Sequence, residues 1–406
     1  MRRVRLDWVT TVSRTSVDVA HLNTAEVFHY SIPMIEATGD GAIESVDRID
    51  SSKLLLEGGE VLISKLNPRK ARVLIAQPHT VPTVCSGEFI PLVPQDDVDR
   101  QYLWWRLRSN DVTQELGSQV RSVTRSHQRI DPIVLTKLWI DLPAIDAQWK
   151  IAAYLDARCR EIDELLLEQR KQEELLMEHQ QSMITELVYS EAGLRRTSSR
   201  TSVPLIPLKR AAQLLTSNVD KKTVDDEMLV RLCNYVDVYK NEVITAELEM
   251  MTASASAEQI ARLGLRGGDV IFTKDSETAD DIAVPAYVPN DLPGVVCGYH
   301  LAIARTFPEI MVGRFLYWCL RSRRVMDQFE FSANGVTRYG LSQAATGSVL
   351  VPAPELEEQR RVAERLDDLN GQVVRLLAEL ERSRELLNER MAAIITATVT
   401  GQMEVA

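Results

Sequence analysis

The chain has 406 residues, of which 45% are hydrophobic, 26% charged and 6% aromatic, and its formal net charge is −11. This length allows roughly two to four domains with sizeable cores. No apolar run approaches the eighteen or so residues that span a bilayer. The basic N-terminus, MRRVRLDWVTTVSR, lacks the apolar core of a secretory signal. We therefore expect a cytoplasmic protein that makes no membrane contact.

The cysteines and histidines show no ligand pattern. The five cysteines are scattered and include no C-x-x-C pair, and the six histidines lack metal-ligand spacing. This usage argues against a disulfide framework and against a structural zinc site. The sequence therefore predicts no metal site.

The first 145 residues mix short strands with helical stretches. Turn residues and apolar runs predict strands at 61–63, 73–76 and 89–93 and a helix over 97–116. Gly58 and Gly59 are interpreted as a turn that precedes the first of these strands. Since strands and helices do not alternate regularly, we expect an α+β domain rather than a doubly wound sheet.

A long helix is predicted next, over 148–188. This stretch contains neither Gly nor Pro, so nothing in it breaks a helix. Its narrow apolar seam requires a partner helix, although Gln169 and Gln172 weaken the middle of the seam. The seam positions that we predict to pack in the helix pair are Leu155, Ile162, Leu176 and Met183.

The second half of the chain repeats the first, at an offset of 209 to 213 residues. LRGGDVIFTK at 265–274 matches LEGGEVLISK at 56–65, and FLYWCLRS at 315–322 matches YLWWRLRS at 102–109. A linker rich in Ser, Thr and Arg, at 193–204, separates the copies. The chain is therefore a duplication.

The second long helix is predicted over 359–399, and each long helix opens with the spacing P-x-x-x-x-Q, in PAIDAQ and PELEEQ. Its predicted packing positions are Leu366, Val373, Leu387 and Ile394. Together the patterns predict an α+β protein in which two pseudo-repeated α/β domains are joined by two long antiparallel coiled-coil helices. The predicted segments are a first domain at 1–145, a first helix at 146–192, a linker at 193–204, a second domain at 205–354, a second helix at 355–401 and a tail at 402–406.

No catalytic motif is found. The chain contains no G-x-x-x-x-G-K-[ST] phosphate loop and no Gly-rich cofactor loop after a strand. The stretch Asn67-Pro68-Arg69-Lys70 lacks the second Pro and the aromatic of the Asn-Pro-Pro-aromatic motif of amino-methyltransferases. No Ser, His and Asp residues are paired as a nucleophile and base. We therefore predict no catalytic residue and no cofactor in this chain.

Binding is the remaining function, and polar loops at matched positions of the two copies are its candidates. The windows 61–87 and 116–130 contain no acidic residue. Arg, Lys, Asn and hydroxyl side chains of this kind contact phosphates and base edges; the alternative interpretation is an ordinary solvated loop. The candidate DNA-binding residues are Lys65, Asn67, Arg69, Lys70, Arg72, Arg121, Thr124, Arg125, His127, Gln128 and Arg129 in the first copy and Lys274, Asn334, Thr337, Arg338 and Tyr339 in the second.

The duplicated order of these motifs resembles the specificity subunit of type I restriction–modification systems, over nearly the whole chain. The resemblance implies two target-recognition domains, each of which reads one half of a split, asymmetric site in double-stranded DNA. It also implies that the helix pair sets the unread spacer and docks two modification (methyltransferase) subunits. Those subunits would carry S-adenosylmethionine and the chemistry, and restriction subunits are a further partner.

Two alternatives remain open on the residues alone. One is a non-catalytic coiled-coil scaffold with two protein-binding modules and no role on DNA. The other is an enzyme of unrecognised type, which the missing catalytic constellation disfavours.

Overall fold

A computed structural model describes residues 1–120, 128–189 and 203–405. The chain divides into two compact units, Met1–Arg170 with Glu381–Ala406, and Lys171–Leu380. Each unit therefore holds one of the two predicted globular parts and a portion of both long helices.

In the described residues of the first half, 1–120 and 128–189, short strands and four short α-helices precede one long helix. The strands are β1 Arg2–Arg5, β2 Thr10–Val12, β3 Ser16–Val17, β4 Glu26–Tyr30, β5 Ala42–Ser45, β6 Lys53–Leu56, β7 Val61–Ser64, β8 Val73–Ile75, β9 Thr83–Cys85, β10 Phe89–Pro94 and β11 Trp139–Leu142. The helices are α1 Ile32–Thr38, α2 Arg100–Arg108, α3 Asn110–Ser118, α4 Pro132–Thr136 and α5 Ile145–Tyr189.

The second half has the same kind of organisation and ends in the second long helix. Its strands are β12 Leu205–Pro207, β13 Ala212–Thr216, β14 Met228–Cys233, β15 Met251–Ala255, β16 Val270–Thr273, β17 Asp275–Ser276, β18 Pro285–Tyr287, β19 Val295–Cys297, β20 Leu301–Thr306, β21 Tyr339–Gly340 and β22 Leu350–Pro352. Its helices are α6 Leu208–Ala211, α7 Tyr235–Lys240, α8 Ala257–Leu263, α9 Gly313–Arg321, α10 Arg323–Ser332, α11 Gln343–Ser348 and α12 Leu356–Val399.

The sheets of the two halves correspond. A four-stranded antiparallel sheet of order β2-β10-β7-β8 in the first half matches β13-β20-β16-β18 in the second. Each half also has one parallel pair, β4 with β9 and β14 with β19. The predicted duplication and the α+β class are therefore confirmed.

A tight turn begins the central strand of each four-stranded sheet, as the paired glycines predict. Gly58, Gly59 and Gly268 have φ of +100°, +92° and +92°, which a Cβ disfavours. The acid that follows each pair binds the turn: Glu60 accepts from the backbone N–H of Glu57 and Gly58 at 2.7 and 2.9 Å. Asp269, its counterpart, accepts from the N–H of Arg266 at 2.9 Å. The turn is thereby fixed immediately before the first residue of each strand.

The single helix predicted over 97–116 is wrong, because two helices occupy this stretch. Ser109 has an extended backbone with ψ of 150° and separates α2 from α3. Its hydroxyl donates to the carbonyl of Arg106 at 2.7 Å and so satisfies the end of α2. Ser322 separates α9 from α10 in the same way. Serine disrupts a helix here because its hydroxyl competes for the backbone.

The two long helices run antiparallel within each unit. In the first unit, Gln169 Nε2 donates to Ser383 Oγ at 2.6 Å, while Tyr154, earlier in α5, meets Met403 beyond the end of α12. In the second unit, Gln180 Nε2 donates to Asn370 Oδ1 at 2.7 Å. The mid-seam glutamine Gln169 therefore bridges the pair by a polar contact.

The seam is most buried where it joins a domain core. Of the eight predicted packing positions, Leu155, Ile162, Leu366 and Val373 are buried and Leu176, Met183, Leu387 and Ile394 are half-buried. Ile395 and Val399 join the first core, and Ile184 and Val188 join the second, although the sequence seam did not include them. Within each unit, the core therefore includes residues of a long helix that the predicted seam left out.

A fully buried glutamine in the first turn of each long helix joins that helix to its domain. Gln148 accepts from the N–H of Asp99 at 2.8 Å and donates to the carbonyls of Asp97 and Pro143 at 2.9 and 3.0 Å. Its side chain thereby links the start of α2, the start of α5 and the proline that precedes α5.

The second copy repeats this arrangement. Gln359 accepts from the N–H of Val312 at 2.7 Å and donates to the carbonyls of Ile310 and Pro354 at 2.9 and 2.8 Å. The spacing P-x-x-x-x-Q is therefore a structural device, since the proline carbonyl and the glutamine amide bond to each other.

An aspartate two turns further along each helix binds a buried indole. Asp156 accepts from Trp105 Nε1 at 2.8 Å, and Asp367 accepts from Trp318 Nε1 at 2.8 Å. Because an indole N–H without an acceptor is costly in a core, each pair fixes the domain helix on its long helix.

Each domain also binds the long helix of the other copy. The N–H of Asn110, at the start of α3, donates to Thr396 Oγ1 at 3.0 Å, and the N–H of Arg323, at the start of α10, donates to Thr185 Oγ1 at 3.0 Å. A helix start leaves such groups without intrahelical partners. Both long helices therefore contribute to each unit.

We expect Gln359→Ala to lower the free energy of unfolding by about 3 kcal/mol, because it leaves three buried backbone groups without this partner. Gln359→Glu keeps the shape but sets a carboxylate against two carbonyl oxygens, so we expect a larger loss that shrinks as the carboxyl is protonated at low pH. Urea denaturation of both variants measures this. The control is Arg360→Ala, at the exposed neighbouring position. A loss no greater than that of the control would refute the role of the glutamine.

Candidate nucleic-acid interface

In the first domain, the fold brings the two predicted loops together beside β7. The N–H of Asn67 donates to the carbonyl of Gln128 at 2.7 Å, and the N–H of Ile130 donates to the carbonyl of Lys65 at 3.1 Å. The N–H of Lys65 in turn donates to the carbonyl of Glu88 at 2.8 Å. Segments 65–72 and 128–130 therefore form one polar surface.

Glu36, which the sequence did not single out, is the centre of an ion-pair cluster on this surface. Its carboxylate binds Lys70 Nζ at 2.8 Å and also binds the Arg72 guanidinium. These two bonds hold the pKa of the Glu36 carboxyl at about 2, below its usual 4.5. Arg72 also donates to the carbonyl of Leu66 at 3.0 Å and is largely buried. Arg72 therefore supports the loop, while Lys70 is exposed.

Arg69 and Arg129 differ in how far they are committed to the protein. Arg69 packs along Gly117 and donates to its carbonyl at 3.3 Å. Arg129 makes a two-bond pair with Glu88, through Nε at 3.1 Å and Nη2 at 3.0 Å, and this raises the pKa of its guanidinium. Both side chains remain accessible to solvent, but Glu88 occupies one edge of the Arg129 guanidinium.

Four candidates of the first domain, Arg121, Thr124, Arg125 and His127, lie outside the described residues. Their role in binding stays a prediction from the sequence.

The second domain places its loops in the same relation. The N–H of Lys274 donates to the carbonyl of His300 at 3.0 Å, and the N–H of Leu341 donates to the carbonyl of Lys274 at 2.9 Å. Asn334 and Gly340 exchange two backbone bonds, which close a loop that carries the exposed side chains of Thr337 and Arg338. Tyr339, in β21, is half-buried. The matched loops therefore share a scaffold.

The centre of this second surface is Asp275. Its carboxylate accepts from Arg338 Nη2 at 3.0 Å and contacts His300 Nδ1 at 2.7 Å. The side chain of Asp275 is 17% exposed and that of Arg338 is 55% exposed. The carboxylate is therefore recessed, and the guanidinium extends from it toward solvent.

Aromatic side chains border Asp275, and the sequence did not single them out. Tyr235 and Tyr239 stack with ring centroids 5.6 Å apart, and Lys274 Nζ lies 4.5 Å from the ring centroid of Tyr299. Burial, with Asp281 as the next contribution, raises the pKa of Tyr235. The sequence does hold a signal for this stack. Tyr235 and Tyr239 are four residues apart and follow the helix cap Asn234, and side chains at this spacing meet on one face of a helix.

Backbone strain concentrates at these loops. Among the residues that the structure describes, five other than glycine have a left-handed φ, and three of them border the two surfaces closely: Asn67 at +48°, Ala71 at +47° and His300 at +71°. Ala283, at +61°, is the repeat counterpart of Ala71. Strain of this kind persists where the surroundings enforce it, which is common at functional sites.

The two surfaces differ in charge chemistry although their backbones match. The first is a set of cations held by Glu36 and Glu88, while the second combines Arg338, Asp275 and tyrosines. A shared scaffold with different side chains is suited to two different targets.

Within the described parts of the chain, no group of three or more His, Cys, Asp or Glu side chains is placed to hold a metal ion. In those same parts, no helix is both long enough and apolar enough to cross a membrane.

The chain resembles a known protein in sequence over a short stretch. No family model matches the chain. The specificity subunit of the type I restriction enzyme EcoBI from Escherichia coli is 33% identical over 90 residues, which cover 22% of this chain and only 19% of that relative.

Likeness to solved structures extends over the whole chain. A chain from a structure of the assembly and conformational transition of the type I R-M system has a TM-score of 0.75 at 17% identity, covering 98% of this chain and 97% of that one. The HsdS subunit from Thermoanaerobacter tengcongensis has a TM-score of 0.53 at 16% identity, covering 99% and 97%.

These likenesses define the class of fold: two related α/β domains on a pair of long helices. The particular fold is that of the HsdS subunit, as the sequence resemblance predicted.

We expect Ala71→Gly to raise the free energy of unfolding by about 0.5 kcal/mol, because glycine removes the Cβ that disfavours a left-handed backbone. Ala71→Val, with a β-branched side chain, should lower it by about 1 kcal/mol or more. As a control, Ala152→Gly, inside α5 and buried, should lower it by about 1 kcal/mol. Equal effects of Ala71→Gly and Ala152→Gly would show that position 71 is unstrained.

Proposed function

We propose that this chain is the DNA sequence-specificity subunit of a type I restriction–modification complex. Each domain reads one half of a bipartite, asymmetric site in double-stranded DNA, and the two long helices set the spacer. The observation that carries the proposal is the HsdS fold over 98% of the chain, together with matched polar loops in both copies.

The composition of the two surfaces supports binding to DNA. The exposed Arg69, Lys70 and Arg129 and the half-buried Lys65 provide phosphate contacts that position a duplex, which is the main source of affinity. Base edges are read by Arg, Asn and hydroxyl groups of the kind found at 334–340 in the second copy. The net charge of −11 does not oppose this, because local clusters decide binding.

The partners follow from the same proposal. The chain itself is non-catalytic, and two modification subunits dock on the acidic helix pair and supply S-adenosylmethionine and the methyl transfer. Restriction subunits complete the complex in systems that cleave, and the complex works in the cytoplasm. The missing catalytic motifs and the exposed acids along α5 and α12 support this division of labour.

Deletion of the gene should abolish methylation at one bipartite motif in the host genome, and no other motif should change. Long-read methylome sequencing of the deletion strain measures this, and complementation with the intact gene is the control. An unchanged methylome would refute the proposal and favour the protein-binding scaffold. In the complemented strain, Arg69→Ala should reduce methylation of this motif without changing its sequence, because a phosphate contact carries no base information.

We expect Glu36→Gln to strengthen binding to non-specific DNA, because it removes the anion that neutralises Lys70 and Arg72. The slope of log affinity against log salt should steepen by up to about 1 per additional phosphate contact. Fluorescence anisotropy across a salt series gives the slope.

The matched control for this substitution is Glu161→Gln, an exposed acid that pairs with Arg158 on α5 at 2.9 Å. Its slope should equal that of the unmodified protein. An unchanged slope for Glu36→Gln as well would mean that this cluster does not face the duplex.

A further inference from the structure

We propose that Arg338, held by Asp275, reads the guanine of one G·C pair in the half-site of the second domain. This inference rests on the proposed function, and it assigns a base type to one residue of the recognition surface.

Arg338 is held in place although its loop is exposed. The pairing of β17 with β21 sets Asp275 opposite Gly340, two residues from Arg338. From there Asp275 Oδ1 accepts from Arg338 Nη2 at 3.0 Å, while Oδ2 contacts His300 Nδ1 at 2.7 Å. With both oxygens engaged the carboxylate cannot rotate freely, so it orients the guanidinium that it binds.

The backbone at His300 is strained in this arrangement. His300 has φ of +71°, a left-handed backbone that L-residues rarely adopt. Its carbonyl accepts from the N–H of Lys274 and its imidazole meets Asp275, so both bonds constrain it. We therefore assign His300 and Asp275 as positioning residues for Arg338.

The guanidinium of Arg338 keeps N–H donors that its bond to Asp275 does not use. An arginine has five N–H donors in a planar fork, and the bond to Asp275 uses Nη2 alone. In the first domain, by contrast, the loop arginine Arg129 binds Glu88 through both Nε and Nη2. Arg338, whose side chain is 55% exposed, is thus the arginine better suited to a two-bond contact.

The guanidinium of Arg338 is better suited to contact a base than a phosphate. A phosphate at the fork of Arg338 would be repelled by the Asp275 carboxylate, whereas a neutral base would not. Guanine presents two acceptors, N7 and O6, spaced for a two-bond contact with arginine. The nearby carboxylate is in turn a suitable acceptor for the N4 amino group of cytosine. The pair Arg338 and Asp275 is therefore complementary to a G·C pair.

The test uses the full-length chain purified with the methyltransferase subunits of its host and a DNA panel with single substitutions in both half-sites. Arg338→Ala should lose discrimination at one G·C pair of one half-site, by roughly 5- to 150-fold, which is the range of a two-bond base contact. Discrimination in the other half-site should be unchanged. Arg338→Lys should also lose it, because a lysine keeps the charge but not the fork.

A second measurement identifies the atoms. Replacing the assigned guanine by 7-deazaguanine removes the N7 acceptor, so it should weaken binding by the unmodified protein and not by Arg338→Ala. Asp275→Asn should reduce discrimination at the same pair yet raise affinity for non-specific DNA, since a negative charge is removed. A purely structural defect would lower both, and thermal unfolding of each variant checks the fold.

The outcomes separate this inference from the proposed function. If the unmodified complex showed no sequence preference at all, the proposed function would fail. If it were specific but Arg338→Ala weakened all sequences equally with a shallower salt slope, Arg338 would contact phosphate and the inference would be overturned. Loss of discrimination at an A·T pair would overturn it too. The control is Arg210→Ala, an exposed arginine of α6 that lies outside the helix pair and outside both candidate surfaces, and it should leave discrimination unchanged.

Discussion

A buried glutamine in the first turn of each long helix is the constraint on which the rest of the structure depends. Gln148 and Gln359 are fully buried, and each bonds three backbone groups from the helix start and the adjoining domain. Because no water can replace these bonds in a closed core, the amide has one arrangement that satisfies all three groups. The direction in which each helix leaves its domain is thereby determined.

The other polar contacts at the junctions extend this constraint along the helices. Asp156 and Asp367 bind buried indoles, and Thr185 and Thr396 accept the backbone N–H groups at the starts of α10 and α3. Each domain is therefore attached to its own helix and to the helix of the other copy. The candidate surface on such a domain keeps its orientation to both helices of its unit, as the proposed reading of a half-site would require.

The two candidate surfaces use the same backbone to support different chemistry. In the first domain Glu36 and Glu88 neutralise most of the cations around the loop, so the net charge of this surface is reduced. In the second, a recessed aspartate holds one exposed arginine among tyrosines. Left-handed backbone at Ala71 and Ala283 recurs at the same place in both copies. The strain recurs in both copies and is therefore a feature of the shared loop geometry. The charged side chains differ between the copies.

The sequence by itself determined the duplication, the α+β class and the two long helices, because periodicity and breaker residues are local signals that recur in both copies. It also indicated where the loops of the candidate site lie. It predicted one helix where Ser109 makes two, since the competition of a serine hydroxyl for the backbone depends on its surroundings. Only the tertiary structure decided which cations are accessible: Arg72 is buried against Glu36 and Arg338 is exposed on Asp275, although both are loop arginines in the sequence. That difference arises from residues distant in the chain, and no local pattern encodes it.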